Sequence, residues 1–523
     1  MLVSIFNDVI GPVMRGPSSS HCVAALRIGR LARDLMGGEL EEVVVQFDRY
    51  GALATTHLTQ GSDMGLWAGL LGWDPDDERM PDSARAIREA GVRVQVEIAD
   101  LRDPHPNTYR ISLRGAARHH TVRAISTGGG MIELVGIDEF PVSIEGDYYE
   151  TLIRVDGDGA AVAARIAGGS AVGEVLVHES AAGELVEVKG PSFVPEAVLE
   201  SLRAEYPIRD VYRLRPVLPV LSRKNLEVLF CSCEQMLRYD AGRMRPLWKL
   251  AVEYESVRGH LSGEEVVARM ENIVRLLRRS VQQGIDGTSY EERILGHQCG
   301  KFQQLLERRE LIDAGVLNRI VLYVSALMEV KSSMGVIVAA PTAGACATLP
   351  GACLAVADQR GLADEPVARA MLAAGLVGVF IASRSTFAAE VAGCQAECGA
   401  AASMTAAALV ELAGGTARQA LAAASMALQN SLGMVCDPVA SRVEVPCLGK
   451  NVMAASNALA CANMALADYD PVIPLDEVIA AADQVGRSLP RELRCTGLGG
   501  LAATRTARQI ESRLSGRQTG LRQ

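Results

Sequence analysis

The sequence predicts an α+β protein with three domains. Strand and helix patterns mix over residues 1–146, which predicts an N-terminal α/β domain. Short elements follow in close succession over residues 147–216, and helical periodicity dominates residues 220–515. These two changes of pattern predict a small middle domain and a large all-α C-terminal catalytic domain, within a chain of 523 residues that can bury several cores.

The N-terminal domain contains several β-branched or alternating runs and one stretch with helical spacing. The helical spacing covers Val23–Met36. The runs predict strands at Glu42–Phe47, Val92–Ile98, Arg110–Leu113 and Thr121–Ser126.

The middle domain reads as strand, helix, two strands, helix and strand. The predicted elements are Glu150–Val155, Ala160–Ile166, Glu174–His178, Glu184–Lys189, Pro195–Glu205 and Val211–Leu214. This order is the ferredoxin-like split motif, which small regulatory domains of the ACT type share with many unrelated modules. We therefore expect an ACT-like ferredoxin-fold domain, followed by a linker at Arg215–Pro219 because proline stops regular structure.

After Val220 the pattern favours helices, and no strand is expected. The longest apolar run, Ala370–Ala382, is shorter than the roughly 18–20 residues of a membrane span, so we expect a buried core helix. The predicted helices are Glu264–Gln283, Asp313–Val330, Glu365–Ile381, Ala400–Leu412, Ala417–Leu432, Val452–Ala467 and Leu475–Gly486.

The composition indicates which classes of partner are excluded and which cellular compartment is expected. The net charge is −10 and no basic block occurs, which argues against nucleic acid and anionic membrane surfaces as partners. Twelve cysteines accompany an N-terminus without the pattern of an export signal. Because thiols persist in reducing compartments, we expect a cytoplasmic protein.

Three cysteines lie in breaks between the predicted helices of the C-terminal half, namely Cys394, Cys436 and Cys447. Clustered thiols in a reducing compartment more often bind metal or do chemistry than form disulfides. Three thiolates can hold three irons of a [4Fe–4S] cluster and leave the fourth iron open. The spacing is unlike the tight runs of ferredoxins, and buried single cysteines also serve as small hydrophobes; we interpret Cys398 in that second way.

A hydroxyl-rich segment precedes the first predicted helix, with Ser18, Ser19 and Ser20 followed by His21. Hydroxyls and unpaired backbone N–H groups at a helix start suit an anion such as a carboxylate. Simple N-capping is the alternative, but a cap needs only one serine.

Two further segments combine flexible backbone with hydroxyl groups. Gly128 and Gly129 follow a predicted strand, and Thr342 and Gly344 lie between two predicted helices. Each segment can cradle an anion or form an ordinary turn, so each is weak evidence for a site by itself.

Together these motifs resemble the iron–sulfur-dependent L-serine dehydratases, or L-serine ammonia-lyases, of bacteria. The resemblance covers nearly the whole chain, which looks like the family's β and α parts fused with the ACT-like unit between them. The strings that carry it occupy residues 16–21, 105–108, 128–130, 341–344, 393–397, 436–440, 443–447 and 499–504.

The resemblance implies a function for the thiols. It implies a [4Fe–4S] cluster on Cys394, Cys436 and Cys447, whose open iron acts as a Lewis acid on the β-hydroxyl of a small amino-acid substrate. A base removes the Cα proton, and the products are a keto acid and ammonia. The serine segment with His21 would grip the substrate carboxylate or assist proton transfer, and a homodimer is expected. His105–Thr108, which by itself reads as a turn, matches the β part.

The chain departs from the family pattern on the substrate side. Gln60 stands where the family has a histidine that is a candidate base, and His57 is a possible replacement. Arg384 and Ser385 replace an Asn-Ala pair; an arginine there favours an extra carboxylate or phosphate, or else it faces a carboxylate of the protein. Cys495 stands where the family has a glutamate.

Three other hypotheses remain open from the sequence. The substrate could be another β-substituted compound, such as cysteine or a hydroxy acid. The chain could be a non-catalytic, ligand-sensing member of the same scaffold. A pyridoxal-phosphate lyase would need a lysine for its Schiff base, and none of the six lysines lies in a convincing sequence setting.

Overall fold

The N-terminal domain is built on a five-stranded sheet. The structure is a computed structural model and describes residues 2–168, 173–291 and 293–520. The elements are β1 (Val13–Met14), α1 (Ala24–Leu35), β2 (Glu42–Asp48), α2 (Leu53–Thr56), α3 (Ser62–Leu70), α4 (Ser83–Glu89), β3 (Arg93–Ala99), β4 (Thr108–Arg114), β5 (His119–Gly128) and β6 (Met131–Ile137). The sheet order is β3-β2-β4-β5-β6, with β2 and β3 parallel and the other neighbours antiparallel. The predicted strands and the predicted helix of this domain are confirmed.

Helices α1 and α3 pack so closely that only glycine fits between them. A Cβ atom at Gly65 would lie 1.9 Å from the carbonyl oxygen of Cys22, and one at Gly69 would lie 2.1 Å from that of Leu26. The helical turn Ser19–Val23 leads directly into α1. The close approach therefore fixes the serine segment against α3.

The middle domain has the predicted β-α-β-β-α-β order. Its elements are β7 (Tyr149–Val155), α5 (Gly159–Ala167), β8 (Glu174–Ser180), β9 (Gly183–Gly190), α6 (Glu196–Glu205) and β10 (Ile208–Leu214). The strands form an antiparallel sheet in the order β10-β7-β9-β8. One face packs on the domain's own helices, whereas Leu152, Leu185 and Tyr212 on the other face join the core of the N-terminal domain. The split motif is thus confirmed, and the ACT type stays a prediction.

The C-terminal part is helical. Its helices are α7 (Cys233–Asp240), α8 (Leu247–Gly259), α9 (Gly263–Asp286), α10 (Cys299–Glu307), α11 (Val316–Ser332), α12 (Thr348–Arg360), α13 (Asp364–Ala382), α14 (Ala389–Ala392), α15 (Cys398–Leu412), α16 (Ala417–Gln429), α17 (Cys447–Leu466), α18 (Leu475–Ser488) and α19 (Arg505–Gly520). The seven predicted helices are confirmed, with shifts at their ends. The largest shift is in α17, which begins at Cys447 rather than at Val452, because Pro446 can stand immediately before a first turn.

The expectation of a strictly all-α C-terminal domain is wrong in one place. Residues Ile337–Val338 form a two-residue strand, β11, that pairs antiparallel with β1. The N-terminal segment Ile5–Val9 also packs against α13, where a Cβ atom at Gly378 would lie 2.1 Å from a methyl group of Val9. The start of the chain therefore joins the core of the helical domain.

Helix α13 lies at the centre of this core. By length and composition it is the one helix of the described residues that could cross a membrane, but 78% of its apolar window is buried inside the protein. It packs against α8, α9 and α15. The prediction of a buried core helix at Ala370–Ala382 is confirmed.

Candidate active site

The serine segment forms a buried network around an imidazole. The hydroxyl oxygens of Ser18 and Ser20 lie 3.1 and 3.2 Å from Nδ1 of His21, and Nε2 of His21 lies 2.7 Å from Oγ1 of Thr56. Because Thr56 donates its own proton to the carbonyl of Ala52, Nε2 of His21 carries the hydrogen and Nδ1 accepts. Burial also lowers the pKa of His21, which favours this neutral form.

A carboxylate from the helical domain completes this network. Ser20 donates to Oε1 of Glu390 at 2.8 Å, and the same oxygen lies 3.5 Å from Nδ1 of His21. The second oxygen of Glu390 is buried and has no hydrogen-bond partner among the described residues. Glu390 is not recognisable as a site residue from the sequence alone, because one glutamate in an alanine-rich stretch resembles an ordinary helix residue. Its position four residues before Cys394 is the available signal.

Ser19 binds the loop that carries the predicted Thr342 and Gly344. The backbone N–H of Ala343 donates to Oγ of Ser19 at 3.1 Å, and Thr342 donates to Oε1 of Glu397 at 2.7 Å. A Cβ atom at Gly344 would lie 2.7 Å from the same oxygen. The structure therefore joins Ser19 to the 342–344 loop and places Thr342 and Gly344 beside Glu397, whose pKa burial raises to about 8.

The glycine loop lies beside a small cavity. Gly128 and Gly129 have left-handed backbone, with φ of 108° and 61°. A Cβ atom at Gly128 would lie 3.0 Å from the backbone nitrogen of Ala388, so the loop approaches the helical domain closely. Gly128 and Ser385 line a cavity of about 250 Å³ together with Asp8. Ser385 therefore lies near the glycine loop, and its hydroxyl donates to Oδ1 of Asp483 at 3.0 Å.

Two predicted residues have partners within the protein. Arg384 is partly exposed and forms an ion pair with Asp476 at 3.2 Å, which is the alternative that the sequence left open for this arginine. Nδ1 of His57 donates to Oδ1 of Asp63 at 2.7 Å, because a carboxylate oxygen accepts. His57 is close enough to His21 to lower the pKa of that residue, so it lies on the same side of the serine network.

Cys394 is the thiol whose ionisation the protein favours most. A hydrogen bond from the thiol of Cys398 lowers the pKa of Cys394 to about 7. Burial opposes this shift, and the positive charge of Lys450 lowers the pKa further. Lys450 is in turn held by Asp437 at 2.8 Å. Cys398 is fully buried, as expected for a core residue, but it is also a direct neighbour of Cys394.

The other two predicted ligands face the same region. Cys436 is held by backbone hydrogen bonds to Leu493 (2.8 Å) and from Cys495 (2.9 Å), and its thiol is hydrogen-bonded to that of Cys495, which raises the pKa of Cys436. Cys447 is the first residue of α17. Burial raises the pKa of Cys447, and the charge of Cys394 adds to this effect. The three thiols are therefore near enough to influence one another.

Their arrangement does not suit a single small ion. In the part of the chain that the structure describes, no three His, Cys, Asp or Glu side chains form a group that could hold one metal ion. A tetrahedral ion with metal–sulfur bonds of about 2.3 Å needs its thiolates in mutual contact. A cluster of several irons accepts thiolates that stand further apart.

Asn451 connects the thiols to the 341–346 loop. Its amide nitrogen donates to the carbonyls of Gly344 (2.8 Å) and Cys447 (2.9 Å). Its amide oxygen accepts from the hydroxyl of Thr348 at 2.9 Å. Asn451 is fully buried, and the sequence analysis missed it because a single asparagine inside a helix carries no recognisable signal.

Lys331 lies in a setting that the sequence did not indicate. It is 1% exposed and donates to the carbonyl of Val443, in the loop that leads to Cys447. Its charge also acts against the rise in the pKa of Glu397. A buried ammonium group therefore stands beside the thiols.

The 105–108 turn adds an amide to the same region. Asn107 is fully buried, and neither its side-chain oxygen nor its nitrogen has a hydrogen-bond partner among the described residues. The neighbouring His105 has its pKa lowered by burial, and Glu390 is close enough to oppose this shift. A buried amide with free hydrogen-bonding atoms near a carboxylate is suited to hold a polar ligand.

Two of the sequence departures touch each other. The amide nitrogen of Gln60 lies 3.5 Å from the sulfur of Cys495 and donates to it. Cys495 is itself hydrogen-bonded to Cys436. Gln60 is thus placed beside the thiols, although its amide cannot act as a base.

Comparison with protein families identifies both halves of the chain. The family model described as serine dehydratase beta chain matches residues 5–135, and the model described as serine dehydratase alpha chain matches residues 240–502. The two models together cover the serine segment and the segments that carry Glu390 and the three thiols.

Individual relatives agree with this division. The chain is 39% identical over 260 residues to a probable L-serine dehydratase alpha chain of Bacillus subtilis, covering 50% of this chain and 87% of that one. It is 28% identical over 512 residues to an L-serine dehydratase of Streptomyces coelicolor, covering 96% and 99%. An L-serine dehydratase of Helicobacter pylori is 27% identical over 505 residues, covering 94% and 96%.

Proposed function

This chain belongs to the L-serine dehydratase family with its β and α parts fused, and we propose that this lyase removes water and ammonia from L-serine or a related β-substituted amino acid. The product would be a 2-keto acid. The observation that carries the proposal is the hydrogen bond from Ser20 to Glu390, since it joins the serine network of the β part to the segment that precedes Cys394.

The donor set supports a [4Fe–4S] cluster on Cys394, Cys436 and Cys447. All three are buried free thiols, and thiolates are the ligands of such clusters. The low pKa of Cys394 favours the form that binds metal. When bound, the cluster would supply a Lewis-acidic iron that makes a β-hydroxyl a better leaving group.

The side chains around the network can hold an amino acid by both ends. The free oxygen of Glu390 is suited to accept hydrogen bonds from a substrate ammonium group. The free amide nitrogen of Asn107 is suited to donate to the carboxylate. The substrate would satisfy buried polar atoms that otherwise lack partners, which is a reason for these atoms to be there.

His57 is our choice for the base that takes the Cα proton. Its Nδ1 is held by Asp63, so its Nε2 can carry the free lone pair. Loss of the Cα proton and of the β-hydroxyl gives an aminoacrylate and water. The aminoacrylate tautomerises to an imine, and one water molecule then hydrolyses it to the keto acid and ammonia. His21 would keep the serine hydroxyls oriented throughout.

The test is anaerobic purification followed by iron and sulfide analysis and an ammonia-release assay. The substrates should include L-serine, L-cysteine and other β-hydroxy amino acids. The variant is Cys394→Ala, and its matched control is Cys353→Ala, because Cys353 is fully buried on α12 but outside the site.

We expect about four irons per chain, one substrate that releases ammonia, and loss of both iron and turnover in Cys394→Ala only. Absence of iron from the anaerobically purified wild-type protein would contradict the cluster assignment. Iron without ammonia from any of these substrates would contradict the proposed reaction.

A further inference from the structure

A cleft of about 610 Å³ lies where the N-terminal and middle domains meet, and none of the thiols lines it. It is formed by the C-terminal end of α1 with its Gly37–Gly38 turn, the β4–β5 turn, one face of α6 and the end of β10. Its charged lining residues are Arg33, Asp34, Arg118, Glu196, Arg203, Arg213 and Arg215.

Positive charge exceeds negative charge in this cleft. Five arginines face two carboxylates, which leaves a surplus of three positive charges (5 − 2). Glu196 is shared by Arg203 at 2.8 Å and by Arg213, and Asp34 pairs with Arg215 at 3.2 Å. These pairs use both carboxylates fully and leave the other two guanidinium groups without one.

Arg33 and Arg118 carry two of these three positive charges, and the third belongs to the two arginines that share Glu196. Arg33 donates to the carbonyl of Leu70 at 2.8 Å, and Arg118 donates to that of Leu35 at 3.4 Å. Neither pairs with a carboxylate within the described ranges. The guanidinium group of Arg118 also lies 5.5 Å from the ring of Tyr212. Backbone carbonyls and an aromatic ring thus orient these two groups without neutralising them.

The turn after α1 leaves room for one of these guanidinium groups. A Cβ atom at Gly37 would lie 2.7 Å from Nη1 of Arg118, and φ at Gly37 is 69°, which favours glycine. Glycine at this position lets the arginine lie directly on the turn. The neighbouring Gly38 lies under the end of Arg33.

We propose that this cleft binds a small polyanion, a molecule that presents at least two negatively charged oxygen groups. The guanidinium group of arginine donates paired hydrogen bonds to carboxylate and phosphate oxygens. The five arginines come from both domains, so the ligand would bridge them. A cleft of this volume suits a metabolite-sized anion such as a phosphate ester or a dicarboxylate or tricarboxylate.

Isothermal titration of the full chain with inorganic pyrophosphate, and separately with citrate, tests the proposal at about 150 mM salt. We expect one probe or both to bind with one site per chain. Binding of only one would assign the ligand to the phosphate or to the carboxylate class. Arg118→Gln should weaken binding at least tenfold, because it removes a guanidinium group that no carboxylate neutralises.

Arg203→Gln provides a second variant, because this side chain is 46% exposed and its loss should not affect folding. Arg165→Gln is the matched control, since Arg165 is exposed on α5 of the same domain but outside the cleft. The thermal unfolding midpoint of each variant without probe checks its folding. Absence of binding by both probes would overturn the proposal, as would binding that Arg118→Gln and Arg203→Gln leave unchanged. None of these readouts depends on the enzymatic reaction.

Discussion

Cys394 differs in its acid–base behaviour from two other buried cysteines of this molecule, Cys22 and Cys353. Cys22 and Cys353 are fully buried, and burial raises the pKa of both thiols; that of Cys22 rises to about 12. Cys394 is also buried, yet its pKa falls to about 7. The difference is the surroundings: Cys398 and Lys450 stabilise the thiolate of Cys394, whereas burial is the sole cause of the shifts at Cys22 and Cys353.

Burial alone raises the pKa of a thiol and keeps it protonated, whereas nearby hydrogen-bond donors and positive charge can lower the pKa again. Other charged side chains, among them Glu390, Lys331 and Lys450, lie in the same part of the molecule as Cys394. Variants at four positions test how much the surroundings of each buried side chain contribute.

The largest effect is expected from the thiols themselves. We expect Cys447→Ala to lower kcat at least about 1000-fold, because it removes a proposed cluster ligand. Cys353→Ala should leave kcat within about threefold and cost about 1 kcal/mol of stability through lost packing. Steady-state kinetics and chemical denaturation of both variants check this. Equal kinetic losses in the two variants would contradict the proposed ligand role of Cys447, because Cys353 is only a core residue.

A smaller loss of activity is expected at Glu390, the carboxylate that is hydrogen-bonded to the serine segment. Glu390→Gln should lower kcat/KM by about 100-fold, since the neutral amide cannot pair with a substrate ammonium group. Glu411→Gln is the matched control, because burial raises the pKa of Glu411 to about 7 at a position where it caps the backbone of α8. Ammonia-release kinetics compare the two. A loss in Glu411→Gln as large as in Glu390→Gln would contradict a specific role.

The buried lysine should have an intermediate effect. Lys331→Met leaves the carbonyl of Val443 without its donor, which costs about 1–3 kcal/mol and loosens the loop before Cys447. We expect kcat/KM to fall about tenfold, with a lower melting temperature and a faster loss of iron on dilution. Lys301→Met, at an exposed position of α10, should match the wild type in all three. If Lys331→Met keeps its iron as firmly as this control, the loop does not depend on the lysine.

The smallest effect is a pH dependence of stability from a buried acid, Asp8. Burial raises the pKa of Asp8 to about 6, above its unfolded value of about 4. The folded state then binds more protons than the unfolded state between these values. The free energy of unfolding should therefore fall as pH rises from about 4 to about 6, by at most about 3 kcal/mol.

Asp8→Asn should remove this part of the pH dependence, because the amide stays neutral. Urea denaturation of the metal-free protein between pH 4.5 and about 7.5 measures it. Glu264→Gln, at an exposed position in the first turn of α9, should leave the pH dependence unchanged. An identical pH profile for Asp8→Asn and the wild type would show that the carboxyl is already charged when folded.

The elements with a strong local pattern were predictable from the sequence. The β-α-β-β-α-β order, the strands of the first sheet and helix α13 follow from hydrophobic periodicity, which is a property of neighbouring residues. Strand β11 was missed because two residues carry no periodicity, and it exists only through its pairing with β1. The early start of α17 at Cys447 was missed for a related reason, since Gly449 and Lys450 interrupt the apolar pattern.

The sequence by itself determined the family, the fused order of its parts and the candidate residues, because these depend on residue identity and on short-range pattern. The tertiary structure alone decided which of those residues meet. Ser20 and Glu390 are 370 positions apart, and Gln60 and Cys495 are 435 apart. Such contacts depend on how two domains pack, and the free energy of that packing is spread over cores that no local pattern reveals. For the same reason the structure, and not the sequence, turned Arg384 toward Asp476 and placed Lys331 beside the thiols.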